Sequence, residues 1–348
     1  MNVAWVQPVG GQGFWDDFGT TVDLTGYVRE DDLQAILTSE FDAMFMKYMP
    51  METADLASVK KAFATTGDVI NIKLTDDIVA DASITVPTGK TAKIDLNGQD
   101  FNMGNKNLNV YGDLVISGEG EMTGTGKTIN VFGGSVTMNE GKLVSTGNQA
   151  ITAENNAVVT INGGEIESQE TAIAAYTGTT VNINGGEITG RDNMAVSGNG
   201  TAGAGGYTIN ISGGTLIGNI ESAGYQSCVV YGPNEGVINI TGGTIIANNG
   251  AGVVMRGGEL NMTGGSIQVM GTAHGWVGDK KTKLNASGII YDYHANYPAK
   301  DTLAVYVGPD AVIHGVDADV QIYKGAQETP NVTVENGANV VIAEAPEA

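Results

Sequence analysis

The chain has 348 residues, of which 51 are glycine, 41% are hydrophobic and 16% are charged; that glycine share is roughly twice the ~7% of an average protein. The glycines do not recur at every third position and only 8 prolines accompany them, which excludes collagen, while the Val and Ile between them exclude a flexible linker chain. With 17 Lys and Arg against 39 Asp and Glu, the net charge of −22 repels nucleic-acid phosphates and anionic membrane surfaces, so neither is expected as a partner.

Residues 1–29 show neither helical nor strand periodicity, yet they carry Trp5, Pro8, Phe14, Trp15 and Phe18. Large aromatics on an irregular arm are costly in water and anchor interfaces, so this arm is expected to dock on another protein; the alternative is that it folds back on its own chain. Met1 to Val6 lacks the basic region and apolar run of a secretory signal, which predicts synthesis in a cytoplasm. Residues 30–50 open on Glu30, Asp31 and Asp32 and place Leu33, Leu37, Phe41, Met44 and Tyr48 on one helical stripe. A helix of that length is marginal alone, so the stripe needs either copies of itself or the body of the protein. Residues 51–68 read as a linker with a second short helical pattern from Leu56 to Phe63.

From Val69 to about residue 345 the period is two, with the parallel β-helix expected over 69–300, and the sequence repeats. Asn, an apolar residue, any residue and glycine recur in Asn109 to Gly112, Asn130 to Gly134, Asn182 to Gly186, Asn210 to Gly214, Asn239 to Gly243 and Asn261 to Gly265, with Thr160 to Gly164 as a variant. The first glycines are spaced 21, 30, 22, 28, 29 and 22 residues apart, and a strand-like run follows each pair. That spacing predicts a parallel β-solenoid with glycine at a coil corner, where φ turns positive and a side chain would obstruct the neighbouring coil. Coils of 28 or 29 residues imply protruding loops. Stacking puts Asn109, Asn130, Asn182, Asn210, Asn239 and Asn261 in one expected amide ladder. It also brings Glu165 beside Glu187, which requires a cation, a partner chain or solvent to offset their repulsion. The single Cys228 excludes an intrachain disulfide and is expected as a small buried hydrophobe.

Thr85-Val86-Pro87-Thr88-Gly89-Lys90 through Asn97-Gly98-Gln99, together with the later Asn-Gly-Gly-Glu-Ile coils, resembles the pectate-lyase-like right-handed β-helix segments of surface and phage proteins. The resemblance implies an all-β, right-handed parallel β-helix preceded by an extended arm and short α-helices, with Leu56 to Phe63 plugging the N-terminal end of the core. Val22 to Leu33 is similar to the junction before a trimerising helix in phage fibre proteins. Together these features resemble a bacteriophage head fibre or capsid-decoration protein at a virion surface. The implied arrangement is a homotrimer held to the major capsid or another virion protein by residues 1–29, with its rod open to host or glycan adhesion. A tail fibre or spike, and a bacterial surface adhesin, are the alternatives.

Enzymes of this fold cleave acidic polysaccharides with clustered acids and calcium, or with several carboxylates, a histidine and a basic pair. Neither cluster is legible here, so no catalytic residue, metal or cofactor is expected. Arg191 and Arg256 have no obvious acid at matching positions. Aromatic and polar residues concentrate at His274, Trp276, Tyr291, Tyr293, His294 and Tyr297, where a subunit contact, a glycan site and, last, catalysis are the readings. Residues 301–348 keep the strand alternation and are expected to form terminal coils and a cap.

Overall fold

The computed structural model describes residues 49–198, 206–218, 228–272, 276–277, 282–283, 285–293 and 299–343. Among them the chain visits three parallel sheets in rotation. It runs along sheet one at Val69–Leu74, sheet two at Ile78–Val79 and sheet three at Ile84–Val86, then returns to sheet one at Thr91–Asp95. Repetition builds sheets of 12, 10 and 11 strands among the described residues, every one parallel, as a β-helix requires. A separate antiparallel pair joins Trp276–Val277 to Thr282–Lys283.

Period-two sequence produces this shape because alternate side chains point inward and outward. Ile70, Ile72 and Leu74 are buried while the residues between them are not. Successive coils stack like on like: Ile161, Ile183, Ile211 and Ile240 are consecutive register partners in sheet one. The core is therefore a column of aliphatic ladders, continuous from Val59 to Ile322.

The glycine pairs do the predicted work at the corner from sheet one to sheet two. Gly243 has φ +77°, and a Cβ there would stand 2.7 Å from the carbonyl oxygen of Gly213 in the preceding coil. Two different corners are nevertheless involved. Gly112 and Gly133–Gly134 lie between sheets three and one, whereas Gly163–Gly164 and the later pairs lie between sheets one and two. The apparent spacing of 30 therefore crosses from one corner type to the other, and the register partners Val158 and Thr180 lie an ordinary 22 residues apart.

The asparagine ladder is corrected for the same reason. Asn130 donates to Asn109 on sheet three at 3.2 Å. Asn182, Asn210, Asn239 and Asn261 form a separate ladder on sheet one, with successive amide contacts of 2.8, 2.9 and 3.3 Å. A further ladder, Asn139, Asn162, Asn184 and Ser212, runs along the glycine corner at 2.9 to 3.0 Å.

The solenoid begins before the expected boundary, and its terminal coils run on beyond residue 300 as expected. Met51–Thr53 pairs with Val69–Leu74, so sheet one starts inside the segment read as a linker; three residues are too few to show a period. Helix α1 (Leu56–Phe63) follows, capped by Asp55, whose carboxylate accepts the Ser58 N–H at 2.7 Å. It buries Val59 and Ala62 against the first coil, with Leu56 and Phe63 packed alongside. At the other end residue 300 falls within a coil, between Ser287–Asp292 of sheet three and Ala304–Val307 of sheet one, and pairing continues to Val340–Ala343.

Candidate functional site

The residues expected to dock, Trp5, Pro8, Phe14, Trp15 and Phe18, and the expected helical stripe, Leu33, Leu37, Phe41, Met44 and Tyr48, lie outside the described residues. So do His274, His294 and Tyr297, and Trp276 is described only by its backbone, opposite Lys283. Tyr291 corrects the expected contact patch. It points into the solenoid, fully buried, and its hydroxyl donates to Gln327 Oε1 at 2.7 Å, so it presents nothing to a glycan or a second subunit. Tyr293, half-buried, donates to Asp301 Oδ1 at 2.8 Å beneath the Lys300 ammonium, which stands 4.6 Å from the ring centroid.

The inward turn of Tyr291 places its neighbours Ile290 and Asp292 on the outer face of sheet three. That face is sealed along its C-terminal half. Met194, Cys228, Tyr231, Ala251, Val254, Ile290 and Tyr323 form a second hydrophobic cluster there, apart from the solenoid core. Burial pushes the Cys228 thiol well above its ordinary range, consistent with an inert apolar role. Arg256 lies in this layer and does have an acid at the matching position: Asp292 of the next coil, 2.9 Å from Nε, with both side chains closed off from water. The pair was illegible in the sequence because the coil joining them carries an excursion of no fixed period. Tyr323 follows Asp292 in register, and burial together with the Asp292 and Asp317 carboxylates drives its phenol pKa upward.

Along its N-terminal half the outer face of sheet three carries smaller side chains, of which Asn130, Thr152, Ala174 and Ser197 are all buried. Register partners make one row of Asn109, Asn130, Thr152, Ala174, Ser197 and Tyr231. The next position outward makes a second row of Tyr111, Phe132, Glu154 and Tyr176. Tyr111 and Phe132 stack with centroids 5.1 Å apart, and Tyr111 remains 45% exposed. Between the rows and the corner from sheet two lies a cavity of about 200 Å³, bounded by Gln149, Thr171, Tyr176, Asn193, Ser197 and Tyr231. Its walls are polar, but Gln149 Oε1 and Asn193 Oδ1 are buried without a hydrogen-bond partner, as is the Thr152 hydroxyl beside Ala174 of the cavity wall. The sequence carries no signal for this site: its residues come from separate coils, and none belongs to the repeat motif.

On the outer face of sheet two Glu165 and Glu187 are register partners, as expected. Lys142, one coil earlier, places its ammonium 3.1 Å from Glu165 and 3.1 Å from Glu167, and Arg191 pairs with Glu167 from the following coil. Lys142 thus offsets Glu165, while Glu187 is exposed to solvent. Among the described residues no group of three or more His, Cys, Asp or Glu converges where a metal could sit. No protein-family model, curated protein or solved structure matches this chain.

Proposed function

We propose that the chain is a non-enzymatic virion surface protein, a head fibre or capsid decoration, in which residues 1–29 dock on a capsid or other virion protein and the β-helix is displayed outward. One observation carries this reading. The solenoid is a continuous stack whose successive coils are also tied together on the outside, by an amide ladder on sheet one and ion pairs on sheet two. Such a body resists bending, which suits a spacer that holds a surface away from its point of attachment. The aromatic arm and the apolar stripe at 33–48 supply the attachment and a homotrimeric junction in this reading.

Deleting residues 1–29 tests it. The truncated rod should remain folded by circular dichroism and lose binding to particles that capture the intact chain. Undiminished binding would overturn the docking role. Light scattering of the intact chain should give three times the mass of 35.9 kDa, and a single-chain mass at every concentration would overturn the trimer.

A further inference from the structure

We propose that the groove between helix α1 and the first strand of sheet three, Ile84–Val86, is the seat of this chain's own segment just before Met49, with the Phe45 ring as its anchor. The groove has a volume of about 270 Å³ and is bounded by Val59, Phe63 and Ala64 on the helix side and by Ser83, Ile84 and Thr85 on the strand side. Phe63, the largest side chain of the helix, is only partly buried there. Among the described residues no strand pairs with the far side of Ile84–Val86, so sheet three begins on an open edge. Ile84 N–H donates to Asn107 O at 3.0 Å and Tyr111 N–H donates to Val86 O at 2.9 Å, both in the next coil, which turns the Thr85 N–H and C=O the other way, toward that edge. Natural sheets cover such an edge, because unpaired backbone beside apolar side chains recruits other chains.

The coil geometry selects the occupant. Val86, Val110 and Val131 are register partners on sheet three, and Met51, Ile94, Ile116 and Met138 share one row on sheet one. Six to eight residues carry the chain from the first row to the second in each coil, and the same count back from Met51 reaches Ala43 to Phe45. A chain that enters Met51–Thr53 in the same sense as the later coils therefore arrives from the side of Ile84–Val86. An apolar cavity of about 150 Å³ takes up a benzene ring, so the groove admits the Phe45 ring with space left for the adaptable thioether of Met46. Phe45 and Met46 stand outside the apolar stripe at 33–48, which stays available to other copies. Charge agrees: Lys60 borders the groove and Lys61 beside it is exposed, while Glu40 and Asp42 precede Phe45.

This inference goes beyond the display reading, since it fixes the direction in which the rod leaves the residues before it, and it holds or fails in the isolated chain whether or not a particle captures that chain. The full-length chain carrying Phe45→Cys and Ala64→Cys is treated with a short bis-maleimide; Cys228 is buried and does not compete. A crosslink within one chain is expected, joining residues 45 and 64 by peptide mass spectrometry, and Phe45→Cys with Val316→Cys, exposed at the far end of the rod, should give none. In hydrogen exchange, Phe45→Asp should speed the amides of Ala64 and Thr85 about ten-fold and Phe45→Leu should speed them less, at the low end of what burying a phenylalanine is worth. Amides of Val320 to Ile322 should keep the parent rate, which separates loss of the seat from loss of the fold. A crosslink between two chains, which gives the groove to a second copy, overturns the proposal, as does the absence of any crosslink or unchanged exchange in Phe45→Asp.

Discussion

Arg256 and Asp292 occupy equivalent places in successive coils of sheet three, Nε to Oδ2 at 2.9 Å, and neither side chain reaches solvent. Breaking a buried pair leaves one charge without its counter-ion, which costs about 3–5 kcal/mol. Asp292→Ala should therefore lower the unfolding free energy by that amount in urea titrations. The double variant Arg256→Met with Asp292→Leu, which removes both charges, should be markedly less damaging than either single change. Equal or additive losses would show that the pair acts through packing alone.

Alkaline stability depends on Tyr323. An unfolded tyrosine ionises near pH 10, whereas the buried phenol, with Asp292 and Asp317 nearby, keeps its proton to higher pH. Above that pH the unfolded chain binds fewer protons than the folded one, so stability falls as pH rises. Below about pH 10 the contribution is intact. Tyr323→Phe removes the ionisation, and its denaturation midpoint should decline less than the parent's across this range. Parallel declines would contradict the assignment.

Asn210 donates to Asn182 and accepts from Asn239. Asn210→Ala deletes both bonds and should cost about 1–3 kcal/mol. Asn210→Asp keeps the acceptor but turns a carboxylate oxygen toward Asn182 Oδ1, so it should be the worse variant at neutral pH and recover when acid protonates it. Denaturation midpoints at two pH values decide this, and a pH-independent Asp variant would refute the ladder polarity.

Two glycines separate conformational need from mere occurrence. Gly243→Ala combines φ +77° with a Cβ 2.7 Å from Gly213 O, and a cost of about 1–3 kcal/mol is expected. At Gly126 a Cβ meets nothing within 4 Å. Gly126→Ala should therefore be neutral or stabilise by up to about 1 kcal/mol through the unfolded chain. Thermal unfolding of both variants makes the comparison, and similar losses would sink the corner argument.

The solenoid class was legible because its signals are local and repeated. Alternating Val and Ile, and glycine pairs that recur with Asn, reflect a backbone that must turn at the same place in each coil. Leu56 to Phe63 was legible as a helix on its own residues, with Asp55 and Ser58 at its start. Which corner a glycine pair occupied was not. Gly133–Gly134 and Gly163–Gly164 look alike as sequence and differ only in which sheets they join.

The glycine excess and the period of two thus determined a β-solenoid, and the acidic balance its net charge of −22, since each depends on residue type and near spacing alone. Tertiary structure decided everything that depends on which residues share a coil height. It divided one expected asparagine ladder between two sheets, turned Tyr291 inward, joined Arg256 to Asp292 across 36 residues, and gathered Gln149, Tyr176 and Asn193 around one cavity. The reason is geometric. Stacking brings partners within about 5 Å whatever the length of chain between them, and loops of irregular length erase that proximity from the sequence.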